Sequence, residues 1–353
     1  MREPDMAKVE ALVGKLVGDV GASLSAALIA LGDRLGIYKA MADGEPVTPA
    51  GLAKKTGLNE RYLREWLSAQ AAGGYVDYDS EAKSFSLSPE QAMALAQEGS
   101  PAFFVGAFDI VQSVWLDEGK IEHAFRTGEG VGWHEHSACL FKGTERFFRP
   151  GYNANLIDSW IPALEGVRER LEQGGEVADV GCGHGASTIL MAQAFPKAHF
   201  HGFDYHQPSI DRAREAAKEA GVADRVVFEK AAAKDFPAHD YDLVTMFDCL
   251  HDMGDPVGAG KHVKETMKPD GVWMVVEPFA NDALEDNLNP VGRIYYAAST
   301  MICTPASRAQ EVGLALGAQA GESRLRSVME EAGFSHVRRA TETPFNLVFE
   351  ATA

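Results

Sequence analysis

The sequence predicts an α/β fold for its C-terminal half, a parallel sheet ending in an antiparallel hairpin, preceded by a mostly helical, winged-helix-like N-terminal domain. Three observations predict it. From Glu176 onward, apolar strand-length runs alternate with amphipathic helical segments, the grammar of a parallel sheet covered on both faces. The first strand runs straight into a glycine-rich turn, "VGCGHGAST". And residues 47–87 read as helix, turn, helix and hairpin.

Each element has its local reason. Leu24, Leu28, Leu31, Leu35 and Tyr38 recur with helical period, which predicts a helix over 21–42 with a broad apolar face that needs a partner. Thr48 before Pro49 signals an N-cap, and Gly57 ends that short helix. Asn59 can cap the next, which carries Leu63, Trp66 and Leu67 and stops at Gly73 and Gly74. Tyr75–Tyr78 and Ser84–Leu87 form the hairpin. Winged helices often read DNA, yet the outer face "ERYLRE" offsets Arg61 and Arg64 with Glu60 and Glu65. A structural or dimerising module fits that cancellation better. Residues 100–172 are expected to be helical with interruptions, including the aromatic-rich "GVGWHEHSACLFKGTERFFRPGYNANLIDSW", read as a lid or substrate wall. His134 and His136 flank Glu135 there and are read as polar loop residues, since no further ligand cluster follows.

From Glu176 the strands are "EVADVGC", "HFHGFDY", "RVVFEK", "DYDLVTMF" and "VWMVVEPF", interleaved with helices. "SRLRSVMEEAGF" supplies a last helix, and "HVRRATET" with "FNLVFEAT" the closing hairpin. Composition narrows the function. The 353 residues carry a formal charge of −18, which argues against nucleic acid as the main partner and suits a cationic ligand. Cys139, Cys182, Cys249 and Cys303 form no Cys-x-x-Cys pair, so neither a zinc site nor a disulfide framework is expected, and a reducing cytoplasm fits. The apolar segment Gly21–Leu31 is too short to span a membrane.

Gly181, Gly183 and Gly185 allow a tight turn and a close ligand approach. By spacing alone, Gly181, Gly183 and Ala186 also satisfy a dinucleotide fingerprint. Asp204, about 20 residues on at the end of the next strand, is placed to accept hydrogen bonds from ribose hydroxyls in either case. Three further features bear on the choice: Asp179 inside "DVGCGHG", the fourth-strand run "DYDLVTMFDCLHD", and the Pro-Gly turn in "MKPDGVWMVVE". As an ordered set they resemble class I S-adenosylmethionine-dependent methyltransferases over roughly residues 173–353.

The resemblance implies a Rossmann-like domain in which Asp179, Gly181 and Gly183 line the methionine end of S-adenosylmethionine, Asp204 binds the ribose and Tyr205 covers the adenine. Asp248 joins this cofactor set. Where the family often has a Gly-Asp-Ala-like turn, this chain has Ala231, Ala232 and Ala233, so either the backbone of Ala232 and Ala233 or the side chain of Asp235 would meet the adenine. With the N-terminal unit the whole chain resembles small-molecule O-methyltransferases, which implies residues 1–98 as a dimerisation domain, 99–172 as a helical linker and lid, and 173–353 as the cofactor domain. Such enzymes carry a "His-Asp-Trp-x-Asp" segment after the fourth strand. The match here is "HDMGD", with His251 as general base and Met253 in place of Trp. Glu277 matches the acid that orients the base, and a second acid falls near Gln319 or Glu322.

A neutral-range histidine suits removal of a hydroxyl proton, and the carboxyl ends of strands are where such sheets bind ligands. Trp133, His134, Tyr152, Tyr295, Tyr296, Met301 and Cys303 are expected to wall the acceptor pocket. The expected activity is O-methylation of a small molecule by a cytoplasmic homodimer, with no metal, no nucleic acid and no membrane as partner. Methylation of a small thiol, a ligand-sensing regulator and an NAD-dependent oxidoreductase are the alternatives.

Overall fold

The computed structural model describes residues 3–353 and contains two compact units, one running through Gln112 together with Lys142–Pro150, the other comprising Ser113–Phe141 and Gly151–Ala353. The divisions between these units fall inside two helices, Gly106–Thr127 and Ala138–Asn155.

In the first unit α1 (Met6–Arg34) starts on Asp5, whose side chain accepts from the Ala7 N–H, and runs for 29 residues. It begins well ahead of the expected residue 21, because Gly14, Gly18 and Gly21 face open space and need no other conformation. By length and composition alone the whole helix, unlike the Gly21–Leu31 segment, could cross a membrane. Only Ala26, Ile29, Ala30 and Gly32 are buried, while Val17 and Leu24 are each 69% exposed. The expected continuation to residue 42 breaks at Gly36, whose φ is 68°, and α2 (Ile37–Met41) turns back into the core.

The next elements follow their capping residues. Thr48 Oγ1 accepts from the Gly51 N–H at the head of α3 (Pro49–Thr56), and Asn59 accepts from Arg61 and Tyr62 at the head of α4 (Glu60–Ala72). The strands β1 (Asp77–Asp79) and β2 (Ser84–Ser86) pair antiparallel, and Ser88 and Gln91 form a capping box on α5 (Pro89–Leu95). Ile29, Tyr38, Leu52, Trp66 and Leu67 fill the core. On the outer face of α4, Arg61 pairs with Glu65 and Arg64 with Glu60, so the basic side chains are spent within the helix. Buried Arg146 gathers Asp33, Asp109 and Glu98 beneath Phe103. Removing the cation would strand three carboxylates.

The second unit takes the C-terminal part of α6 (Gly106–Thr127) and both ends of α7 (Ala138–Asn155). After α8 (Val167–Gln173) it alternates β3 (Glu176–Val180), α9 (Ala186–Ala194), β4 (His199–Asp204), α10 (Gln207–Glu219), β5 (Val226–Lys230), β6 (Tyr241–Phe247), α11 (Pro256–Thr266) and β7 (Met267–Pro278). Then come α12 (Pro290–Ala298), α13 (Thr304–Arg308), α14 (Glu322–Glu331), β8 (His336–Glu342) and β9 (Asn346–Thr352). The sheet order is β5-β4-β3-β6-β7-β9-β8, with β9 antiparallel to both neighbours and β3 to β7 parallel. Every residue of β6 is buried, as a central strand packed on both faces requires. The chain reverses its direction of winding between β3 and β6, which opens a crevice at their carboxyl ends. α11 stops at Thr266, and the "KPDG" read as a turn between helix and strand lies in the first residues of β7, where the register shifts against β6.

Candidate active site

The glycine loop after β3 is held in shape by the sheet itself. Gly181, Gly183 and Gly185 have φ of 78°, 53° and 79°, conformations that other residues adopt only under strain. A Cβ on Gly181 would sit 2.7 Å from Cys249 Sγ and one on Gly185 would sit 2.5 Å from Phe228, whereas one on Gly183 would meet nothing within 4 Å. Two glycines thus allow packing, and the third leaves open backbone facing the crevice. The N–H groups of Gly181 and Cys182 both donate to Phe203 O, and Gly183 N–H donates to Asp204 Oδ2 at 3.0 Å. Asp204 Oδ1 accepts from His206 N–H at 2.8 Å. Each oxygen keeps a free lone pair for a ligand hydroxyl.

Asp179 is held by three hydroxyls of the fold. It is 1% exposed, and its carboxylate accepts from Ser187, Thr188 and Thr245 at 2.7, 2.5 and 3.0 Å. Its work is to tie the head of α9 and β6 to the glycine loop. Ala232 N–H donates to Asp235 Oδ1 at 2.9 Å, so these two residues satisfy each other across the turn after β5. Tyr205 is 39% exposed beside the edge of His134.

Asp248 follows β6 with φ of 50° and is gripped by Tyr152 Oη at 3.1 Å and Asn346 Nδ2 at 2.9 Å. Burial pushes Asp179, Asp204 and Asp248 above the ordinary carboxylate range, Asp248 well above it with help from the charge of Glu277. A cation entering the crevice would relieve all three. The open Gly183 backbone, the Asp204 lone pairs and this acidic wall fit a cationic adenosine cofactor.

His251 lies in a short 3-10 turn, Leu250–Asp252, and is 3% exposed. Its Nδ1 meets Glu277 Oε2 at 2.5 Å, while Glu277 Oε1 accepts from the Leu250 N–H at 2.9 Å, so one carboxylate fixes both the ring and the turn that carries it. On the other side Nε2 lies 3.1 Å from Asp252 Oδ1, out of hydrogen-bond alignment, and that buried oxygen has no partner. Burial works against the imidazolium, but the charges of Asp252 and Glu277 outweigh it and hold His251 well above the ordinary histidine value. Cys303 Sγ joins His251 and Asp252 within 4.8 Å. Burial raises its thiol to about 12, so it is no nucleophile at neutral pH.

The other pocket residues divide. Trp133 and His134 sit on a 3-10 turn whose neighbourhood, through Phe141, packs against His206. Tyr152 is buried on Asp248 and Phe247. Tyr295 is buried and donates to Phe345 O at 2.9 Å, while Tyr296 and Met301 are half-buried. At the position expected for the second acid, Gln319 donates to Phe279 O and Ala318 O, and its Oε1 is buried without a partner. One residue read from sequence as a polar loop residue is placed differently. His136 is buried, its Nδ1 3.2 Å from Asp117 Oδ2. Asp117 lies in α6, 19 residues upstream, and no local pattern announces the pair.

Residues 171–333 match the family model described as a methyltransferase domain. The chain carries a methyltransferase domain. Residues 22–97 match an Rv2258c-like winged helix-turn-helix domain, so the predicted module precedes it. Among curated relatives, the 27-O-demethylrifamycin SV methyltransferase of Amycolatopsis mediterranei (strain S699) is 26% identical over 193 residues, covering 52% of this chain and 62% of the relative. A ubiquinone biosynthesis O-methyltransferase of Paracidovorax citrulli (strain AAC00-1) is 32% identical over 155 residues, covering 43% and 61%. The matches thus span about three fifths of those relatives. Among solved structures, the mitomycin 7-O-methyltransferase MmcR superposes with a TM-score of 0.68 at 21% identity, covering 99% of this chain and 100% of that one. Human N-acetylserotonin methyltransferase in complex with SAM superposes with a TM-score of 0.69 at 15% identity, covering 100% and 99%. These establish that the fold extends over both units.

Proposed function

We propose that the protein methylates a hydroxyl group of a small molecule, using S-adenosylmethionine, with His251 as the general base. The observation that carries this reading is the His251–Glu277 pair at the carboxyl end of the central strands, where the crevice of a methyltransferase domain opens. The glycine loop, Asp204 and Tyr205 would hold the cofactor. When bound, the cofactor supplies a methyl group on a sulfonium, and the carbon–sulfur bond breaks as the oxygen–carbon bond forms.

The chain's own residues do the rest. Glu277 holds Nδ1–H, which leaves Nε2 to take the acceptor proton and stabilises the imidazolium that results. The acidic wall of Asp204 and Asp248 favours a cation, and a cation there lowers the proton affinity of nearby His251, freeing the base when the cofactor is in place. Cys303, Met301 and Tyr296 supply apolar lining. We further infer a cytoplasmic homodimer in which a second copy covers the exposed apolar residues of α1; light scattering tests it, and a monomer at micromolar concentration rejects it. The named O-methyltransferases among the relatives support the choice of oxygen.

Calorimetry with S-adenosylhomocysteine and with NAD separates the cofactors, the first binding and the second not. A panel of alcohols, phenols and thiols, read out as S-adenosylhomocysteine released, then separates the acceptors. Turnover of thiols alone would replace the oxygen assignment, and NAD binding alone would overturn the reading. Tight, specific gel-shift complexes with DNA would favour a regulator.

A further inference from the structure

A second buried imidazole, His136, lies in the same compact unit as His251. His136 has a side chain 2% exposed, and its Nδ1 lies 3.2 Å from the carboxylate of Asp117. That carboxylate is itself held by the Ser137 N–H at 2.7 Å and Lys120 Nζ at 2.8 Å, and Lys120 also reaches Glu135 O. Burial would raise Asp117, but these hydrogen bonds outweigh it and keep the carboxyl below its usual range. Burial in turn pushes His136 below the ordinary histidine value, so at neutral pH the ring is neutral. With its proton on Nδ1, pointing at Asp117, the ring offers a bare acceptor lone pair on Nε2.

That Nε2 is buried and has no partner. Buried polar atoms are rarely left so, because desolvation without a hydrogen bond is costly. The same is true of Asp252 Oδ1, the oxygen facing His251 Nε2. Hydrogen bonds draw the two unpartnered atoms toward one neighbourhood. Val131 N–H donates to Pro305 O, Gln310 Nε2 donates to Asp252 O, and Ser307 Oγ donates to Met253 O, drawing the His136 loop, α13 and the His251 turn together. Gly130 allows this, because a Cβ there would lie 2.0 Å from Ala309 N.

His136 Nε2 is an acceptor that nothing faces, so what completes it must donate. We infer that His136, oriented by Asp117, binds the methyl acceptor through a second O–H or N–H group, making the preferred substrate a small molecule with at least two hydrogen-bond donors. This rests on the proposed function for the identity of the pocket, while the binding it predicts does not depend on turnover. Because the acceptor's own donor satisfies Nε2, a molecule with only the reacting hydroxyl leaves that atom bare.

The test is calorimetry of the full-length protein, saturated with S-adenosylhomocysteine, against phenol and the three dihydroxybenzenes, for wild type, His136→Phe and His136→Gln. At least one dihydroxybenzene is expected to bind wild type about tenfold more tightly than phenol. His136→Phe abolishes that preference without weakening phenol, and His136→Gln, which keeps an acceptor, restores part of it. Thermal unfolding of both variants verifies the fold. An unchanged preference in His136→Phe, equal loss for phenol and diols, or no binding of any probe to wild type overturns the inference. Failure of S-adenosylhomocysteine itself to bind would instead count against the proposed function, and the phenol series would then be run on the free protein with the same criteria.

Discussion

His251 and His136 are both buried, and both turn Nδ1 toward a carboxylate, Glu277 at 2.5 Å and Asp117 at 3.2 Å, yet their proton affinities move in opposite directions. The difference lies in what surrounds each pair. His251 has a second acid, Asp252, at Nε2, with Cys303 close by, and the summed negative charge exceeds the cost of burial. Asp117 is already partly neutralised by Lys120, so it offers His136 less, and burial wins. One pair is equipped to receive a proton during a reaction, the other to stay neutral and accept a hydrogen bond. Geometry alone would have made them equivalent; the third charge separates them.

The comparison can be broken most sharply at the rings. His251→Ala is expected to lower turnover about 10³-fold while leaving S-adenosylhomocysteine affinity unchanged by calorimetry. Replacing the orienting acids comes next. Glu277→Gln should cut kcat by about 10²-fold with KM little altered, and should move the pH–rate limb to lower pH, a signature that a purely structural role for Glu277 would not produce. Asp117→Ala acts on stability instead: it leaves the Ser137 N–H and His136 Nδ1 without their acceptor and should cost about 2 kcal/mol in urea unfolding. The smallest effect is expected from Asp252→Asn. Removing one negative charge from beside Nε2 lowers the His251 pKa, so the limb should shift about one pH unit toward acid with modest change in its plateau.

How much of this the sequence showed depends on whether the signal was local. β6 and β7 announced themselves because strands packed on both faces are continuous apolar runs, and the glycine loop did so because its φ values demand glycine. Thr48 and Asn59 were legible for the same reason, since a cap acts within three residues. His251 and Glu277 stood out by position at two strand ends. By contrast, the three hydroxyls that hold Asp179 were not legible, because a carboxylate beside a glycine loop looks the same in sequence whatever side chains surround it. His136 was read as a polar loop residue because its meaning depends on Asp117 and on the unpartnered state of Nε2, neither of which has a sequence signature. The full length of α1 was missed because the expected helix rested on the periodic leucines from residue 24 onward, whereas Gly14, Gly18 and Gly21 sit in open space and do not interrupt the helix.

The most direct test of the account is the pH dependence of kcat/KM for wild type with a hydroxyl acceptor whose own pKa lies well above 10. The free protein carries His251 with a raised pKa, so the base must first lose a proton, and activity rises with pH along a limb whose midpoint lies above the ordinary histidine value of about 6.5. That limb should be absent from the residual activity of His251→Ala. A profile flat from pH 6 to 9, or the same limb in both proteins, would contradict the assignment of His251 as the base.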